Sequence, residues 1–239
     1  MQQSPRFVES QSDAKTDLNP IRHALQRNGK DIAKLTFGAA LQHGGGYLLA
    51  TFLADYLASS QMRGWADKYA YMITCLNLLL SVPTVIWVGH NVDMLGARRF
   101  VFGAPLMMLC LAPIVFYGLA LSRSTGLDFV YQFMLCQILS VLFGSCFYWY
   151  TFSLLKDDKT RVCVYSIGYN LGAAMFSGTA VLIAALCVDI SGGIYGMIWA
   201  GCWLSFLSLC TFITVIYVEY CEHGYDCIQS DQEIEPLLD

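Results

Sequence analysis

Residues 89–99 read Gly89-His90-Asn91-Val92-Asp93-Met94-Leu95-Gly96-Ala97-Arg98-Arg99. This short charged break separates two apolar runs, Tyr69–Val92 and Phe100–Leu121, and neither run holds an Asp, Glu, Lys or Arg. A bilayer hydrocarbon core of about 30 Å needs roughly 20 apolar residues in helical form, and both runs are long enough. Four further uncharged stretches qualify: Leu35–Ala54, Phe129–Leu155, Val162–Val188 and Ile190–Val218. Helices are expected rather than strands, because a lipid-exposed chain must satisfy its backbone internally and an open sheet cannot. The expected fold class is therefore all-α: a polytopic membrane protein of six transmembrane helices.

Composition points the same way. The chain is 56% hydrophobic and only 13% charged, about half the charged share of a soluble domain, and its mean hydropathy is +0.50. If the six spans alternate in direction, one side carries the N-terminal tail, the Asp93–Arg99 loop, the Lys156–Arg161 loop and the C-terminal tail. Of the 14 Lys and Arg residues, only Arg63, Lys68 and Arg123 fall on the other side. Positive charge stays cytoplasmic, so both termini are expected in the cytoplasm, with the bundle in a plasma or inner membrane. The net charge of −4 reflects an acidic C-terminal tail, which contributes little to orientation.

Three regions follow. Residues 1–34 form a polar cytoplasmic tail, expected to be disordered over 1–18 and free of a cleavable signal peptide. Its Ile21–Lys34 stretch fits either a short interfacial helix, with Ile21, Leu25 and Ile32 toward the acyl boundary, or a plain basic linker. Residues 35–218 form the six-helix bundle, whose short connections, Asp189 alone marking the fifth turn, force sequential antiparallel neighbours. Residues 219–239 form an acidic cytoplasmic tail. Nothing remains for a soluble catalytic domain, and no nucleotide loop, catalytic triad or nucleic-acid-binding surface is visible. The ten cysteines show no metal-ligand spacing, so neither a metal nor a cofactor is expected; those inside spans read as packing residues. Gly168 and Gly172, and likewise Gly192, Gly196 and Ala200, recur every fourth residue, a spacing that lets helices approach closely.

The loop opened on above resembles the signature loop of the major facilitator superfamily, Gly-x-Leu-Ser-Asp-Arg-x-Gly-Arg-Arg/Lys. Gly89, Asp93, Gly96 and Arg98 stand at matching positions, while Asn91, Val92, Met94 and Ala97 depart from it. In that pattern Gly89 permits close helix approach and Gly96 a tight turn. Asp93 and Arg98 can cap helix ends and form a charge relay that closes the cytoplasmic face. A second stretch, Arg161 through Tyr169-Asn170 and on to Phe176-Ser177-Gly178-Thr179-Ala180, resembles the eleventh helix of the metabolite:proton symporters, the branch of proline/betaine, citrate, α-ketoglutarate and shikimate carriers. Arg161, Tyr169, Asn170, Phe176, Gly178, Thr179 and Ala180 fit; Val162, Cys163, Val164, Ser177 and Val181 do not. Asn19-Pro20-Ile21-Arg22 and Gly45-Gly46-Tyr47-Leu48-Leu49 resemble the approach to, and middle of, that branch's seventh helix.

The resemblance covers roughly Asn19 to Tyr220 and corresponds to the C-terminal six-helix half of a twelve-span carrier. It implies transport of a small polar metabolite (an organic acid, amino acid or betaine), with protons as a coupling ion and no enzymatic activity. It also implies a partner: a second copy in a homo-oligomer, or a separately encoded N-terminal half. The alternative is a truncated, non-transporting remnant or an accessory membrane subunit.

Candidate substrate-path residues are the polar groups inside spans. His43 lies mid-span, where an ionisable group is costly; it suits proton transfer or a neutral hydrogen-bonded role. Tyr47 lies one turn on, on the same face. Gln132, Gln137, Tyr169 and Asn170 suit contact with a substrate or helix–helix hydrogen bonding.

Overall fold

The computed structural model describes residues 25–26, 28–59, 67–122, 124–148 and 161–222. Most of the N-terminal tail, the connections over 60–66 and 149–160, and residues 223–239 of the acidic tail lie outside the described residues. Cys227, Trp149 and the Lys156–Lys159 portion of the inner loop are among them.

Five helices among the described residues are long and apolar enough to cross a membrane. In chain order they belong to α3 (Asp67–Leu95), α4 (Ala97–Leu121), α5 (Thr125–Tyr148), α6 (Arg161–Ser191) and α7 (Gly193–Ile216), the last continued by a π turn over Tyr217–Glu222. The chain thus has the make-up of an integral membrane protein. The first expected span is built differently. It comprises α1 (Gly29–Gly38), π turns over Leu41–Gly45 and Leu48–Phe52, and α2 (Leu53–Ala58), which follow one another without a loop. No piece of this 29–58 rod reaches spanning length alone.

Three boundaries differ from the sequence expectation. Helix α1 begins at Gly29, and Ile32 is buried inside the bundle, so this part of the basic stretch packs on protein and not on the acyl boundary. The 93–99 loop contracts to one residue: α3 runs through Leu95, Gly96 takes φ 82°, and α4 starts at Ala97. Asp189 does not mark the fifth turn. It lies within α6, and the reversal falls at Gly192 and Gly193, with φ of 66° and 44°. Left-handed backbone is open to glycine and strained for other residues, so the glycine pair, and not the charge, sets the turn.

Glycines and hydroxyls set the packing. A Cβ on Gly201 would sit 2.9 Å from Pro113 Cα and from Phe116 Cβ, so its absence lets α7 lie directly on α4, the most extensive pairing in the bundle. Pro113 has no N–H for the Leu109 carbonyl one turn back. Ser205 Oγ of α7 donates to that carbonyl at 2.9 Å, and Ser208 Oγ donates to Pro105 O at 2.6 Å. Lipid offers no donor in water's place, so Ser205 repairs α4 and docks it at once, and Ser208 adds a second tie between the two helices. Gly168 meets Leu35 and Ile32 of α1, Gly172 meets the Thr36 carbonyl, and Gly196 meets the α6 backbone at Cys187 and Val188.

The remaining pairings have a pattern. Helix α3 packs on α5, α6 on the 29–58 rod, α4 on α5, and α7 on the rod. Exchanging the rod with α5, α3 with α6 and α4 with α7 carries each of these pairings onto another and the α4·α7 contact onto itself. The exchange is imperfect: α6 packs closely on α7 across their glycine turn, whereas α3 touches α4 only slightly, and α3 packs on the rod, whereas α5 and α6 make no comparable contact among the described residues.

Candidate functional site

The two π turns fall where the sequence runs Leu41-Gln42-His43-Gly44-Gly45 and Leu48-Leu49-Ala50-Thr51-Phe52. Gly44 and Gly45 are pressed against α7, with Leu207 and Leu204 filling the space a Cβ would need. At the entry to the first turn the Leu41 N–H donates to Thr211 Oγ1 of α7 at 3.0 Å. π turns of this kind are rare and concentrate at functional sites. Here they turn Gln42, His43, Tyr47 and Thr51 toward one cavity.

That cavity has a volume of about 560 Å³ and lies between the rod, α3 and α5. The rod contributes Gln42, His43, Gly46, Tyr47, Leu49, Ala50 and Thr51; α3 contributes Leu78, Ser81, Val82, Val85 and Ile86; α5 contributes Cys136, Leu139, Ser140 and Phe143. No Asp, Glu, Lys or Arg is among them. Ser81 Oγ and Ser140 Oγ are spent on carbonyls of their own helices, those of Asn77 and Cys136.

Behind the wall sits a polar cluster. The Gln42 amide donates through Nε2 to the Tyr169 hydroxyl at 3.1 Å. The His43 and Tyr169 rings meet edge-on at 4.2 Å, and Tyr169 stacks on Tyr165 at 5.3 Å. Gln42 Oε1 and His43 Nε2 are buried with no hydrogen-bond partner among the described residues. Gly172 keeps α6 close at this level, its missing Cβ lying 3.4 Å from the imidazole Cδ2.

The structure therefore brings His43, Tyr47 and Tyr169 of the expected path residues together, and adds Gln42. Periodicity did not single out Gln42, since its place beside Tyr169 depends on a π turn that an α-helical reading lacks. The other three lie elsewhere. Gln132 is wholly buried between helices: it accepts from Asn77 Nδ2 at 3.0 Å and donates to Thr74 Oγ1 at 2.9 Å and to Leu49 O at 3.3 Å. Gln137 accepts from the Thr84 hydroxyl and lines a separate cavity of about 390 Å³ against α4. Asn170 is exposed on α6 and donates to Ser166 O of its own helix at 2.7 Å.

At the loop, Gly96 makes the turn, but Gly89 is not where helices press closest. A Cβ there would have only Gly144 O as a neighbour, at 4.0 Å, whereas one on Gly144 would sit 2.9 Å from Val85 O and Val88 Cβ. The close approach of α3 and α5 thus rests on Gly144. Arg98 pairs with Glu219 Oε2 at 3.6 Å and lies over the Phe102 and Tyr220 rings at 5.7 and 5.4 Å. The relay expected between Arg98 and Asp93 involves a side chain outside those described. Among the described residues no group of His, Cys, Asp and Glu side chains is placed to hold a metal. No protein-family model matches this chain, and no curated protein or solved structure matches it.

Proposed function

We propose that this chain is one six-helix half of a membrane transporter of the major facilitator type, moving a small metabolite by alternating access. The observation that carries the reading is the exchange pattern of the helix pairings, which relates the first three rods to the last three. Repeats of three helices nested within each half are how such carriers are built, with substrate held between halves near the midplane. The 29–58 rod then serves as the sixth span. Thirty residues at about 1.5 Å each give about 45 Å of helix, enough to cross a core of about 30 Å.

The cavity bounded by the rod, α3 and α5 is one wall of the path, and a second copy or a separately encoded first half supplies the opposite wall. The Arg98–Glu219 pair fastens the α3–α4 turn to the end of α7, where the cytoplasmic face closes. Both termini lie in the cytoplasm on this reading.

Uptake into vesicles holding this chain alone, with and without an inward proton gradient, tests it. Labelled proline, betaine and dicarboxylates, the solutes that the family resemblance implies, are tried beside a neutral aromatic solute. Gradient-driven uptake that Asp93→Asn abolishes is the expected result. A folded, inserted chain that takes up nothing, alone or with a co-expressed first half, leaves the accessory or remnant reading in its place.

A further inference from the structure

We infer that the cavity between the rod, α3 and α5 binds an uncharged, largely apolar solute that presents a hydrogen-bond donor to Gln42 and His43. This deepens the transport reading by naming a substrate class, and it runs against the carboxylates and betaines that the family resemblance implies.

Three observations carry it. First, the wall holds no charged side chain, and its two serines already donate to their own helices. A charged solute entering would shed water and gain no counter-charge here, whereas an apolar body gains burial. Second, the cavity, about 560 Å³, accepts a ring system and not merely a water molecule. Third, the buried side-chain nitrogen and oxygen atoms of its wall without a hydrogen-bond partner among the described residues are Gln42 Oε1, an acceptor, and His43 Nε2, an acceptor when Nδ1 carries the ring proton. Both atoms belong to side chains that line the wall, so a turn of either side chain toward the cavity presents its atom to a bound donor.

Four probes of one ring system separate charge from shape: 1-naphthol (neutral, one donor), 1-methoxynaphthalene (neutral, no donor), 1-naphthoate (anion) and 1-naphthylmethylammonium (cation). Binding is measured at equilibrium by titration calorimetry on the full chain in lipid nanodiscs, with empty nanodiscs subtracted for partitioning. The expected result is saturable binding of 1-naphthol, with about tenfold weaker binding of the methoxy compound and at least about tenfold weaker binding of either ion, each tenfold being one decade of Kd. Ala50→Trp fills the cavity and should abolish the saturable component. Val82 is half exposed at the rim, so Val82→Trp should do the same in a chain that still folds.

Naphthoate or the ammonium binding as tightly as naphthol would overturn the inference, as would no saturable binding of naphthol at all. So would binding that both tryptophan variants leave unchanged. The readout is equilibrium binding and not flux, so it fails separately from the transport reading. Naphthol that binds as expected in a chain that transports nothing, alone or with a co-expressed first half, would sink the transport proposal and leave the site standing.

Discussion

The amide of Gln132 holds three elements together. It reaches Asn77 and Thr74 on α3 and the Leu49 carbonyl at the second π turn, all from the middle of α5. Each partner is buried, and Asn77 is wholly so. Replacing Gln132 by Leu keeps the bulk and strands the Asn77 amide and the Leu49 carbonyl. A stranded buried group costs more than the net worth of the bond it lost, and interhelical bonds in membranes are modest. The expected loss is about 1–2 kcal/mol of stability, read as a lower midpoint in denaturant unfolding of the purified chain. An unchanged midpoint would mean that water reaches this site. In the sequence, Gln132 and Tyr169 look alike, each a polar residue inside an apolar run. Only the packing separates the one that ties helices from the one that stands behind the cavity, because the linear chain carries no record of which neighbour a side chain meets.

Among elements, the α1–α6 contact depends most visibly on missing atoms. A Cβ on Gly168 would lie 2.7 Å from Leu35 Cβ and 3.0 Å from the Ile32 carbonyl. Gly168→Val should therefore push α6 off α1 and cost about 1–3 kcal/mol, the usual penalty of overpacking. Gly178, ten residues on in the same helix, has nothing within 4 Å of its Cβ position. Gly178→Val should leave stability within about 0.5 kcal/mol of the parent, the range of an ordinary surface change, read as a nearly unchanged thermal midpoint. Equal effects of the two would show that propensity, not contact, governs this helix. The four-residue glycine spacing was legible at Gly168 and Gly172, because close packing selects small residues at helical repeat. The turn at Gly192 was not, because in a linear sequence a charge reads as the sign of a membrane boundary, and Asp189 sits inside α6. Likewise Gly89 has its place in a motif, while the tight contact falls to Gly144 across the helix pair.

For the whole molecule, the question left by five long helices and one composite rod is a matter of parity. If the 29–58 rod crosses the bilayer, the number of crossings is even and both termini lie on one side. If it does not, they lie on opposite sides. Epitope tags at each end, probed with antibody in sealed vesicles before and after permeabilisation, decide this directly. The expected outcome is that both tags are protected or both exposed together. Tags on opposite faces would remove the rod from the count of spans and with it the exchange of three rods for three. Apolar run length made five helices of spanning length readable at once, since the bilayer sets that length. It could not reveal that the first run is built in pieces, because π turns leave composition and length untouched.

The two π turns also bear on phase. Each behaves as one residue inserted into an α-helix, and one residue advances the helical screw by about 100°. Two insertions within twelve positions displace everything from Leu53 onward by about 200°, nearly to the opposite face. The side of α2 that meets α3 is thus the side an unbroken helix would have turned away from it. Deleting a single residue within either turn would remove that insertion and leave Tyr56 and Leu57, now buried, near their present phase, whereas drawing either turn into plain α-helix at the same length would rotate them by about 100°. The rod behaves as a shaft with two offset couplings, each of which takes up one residue without turning the far end.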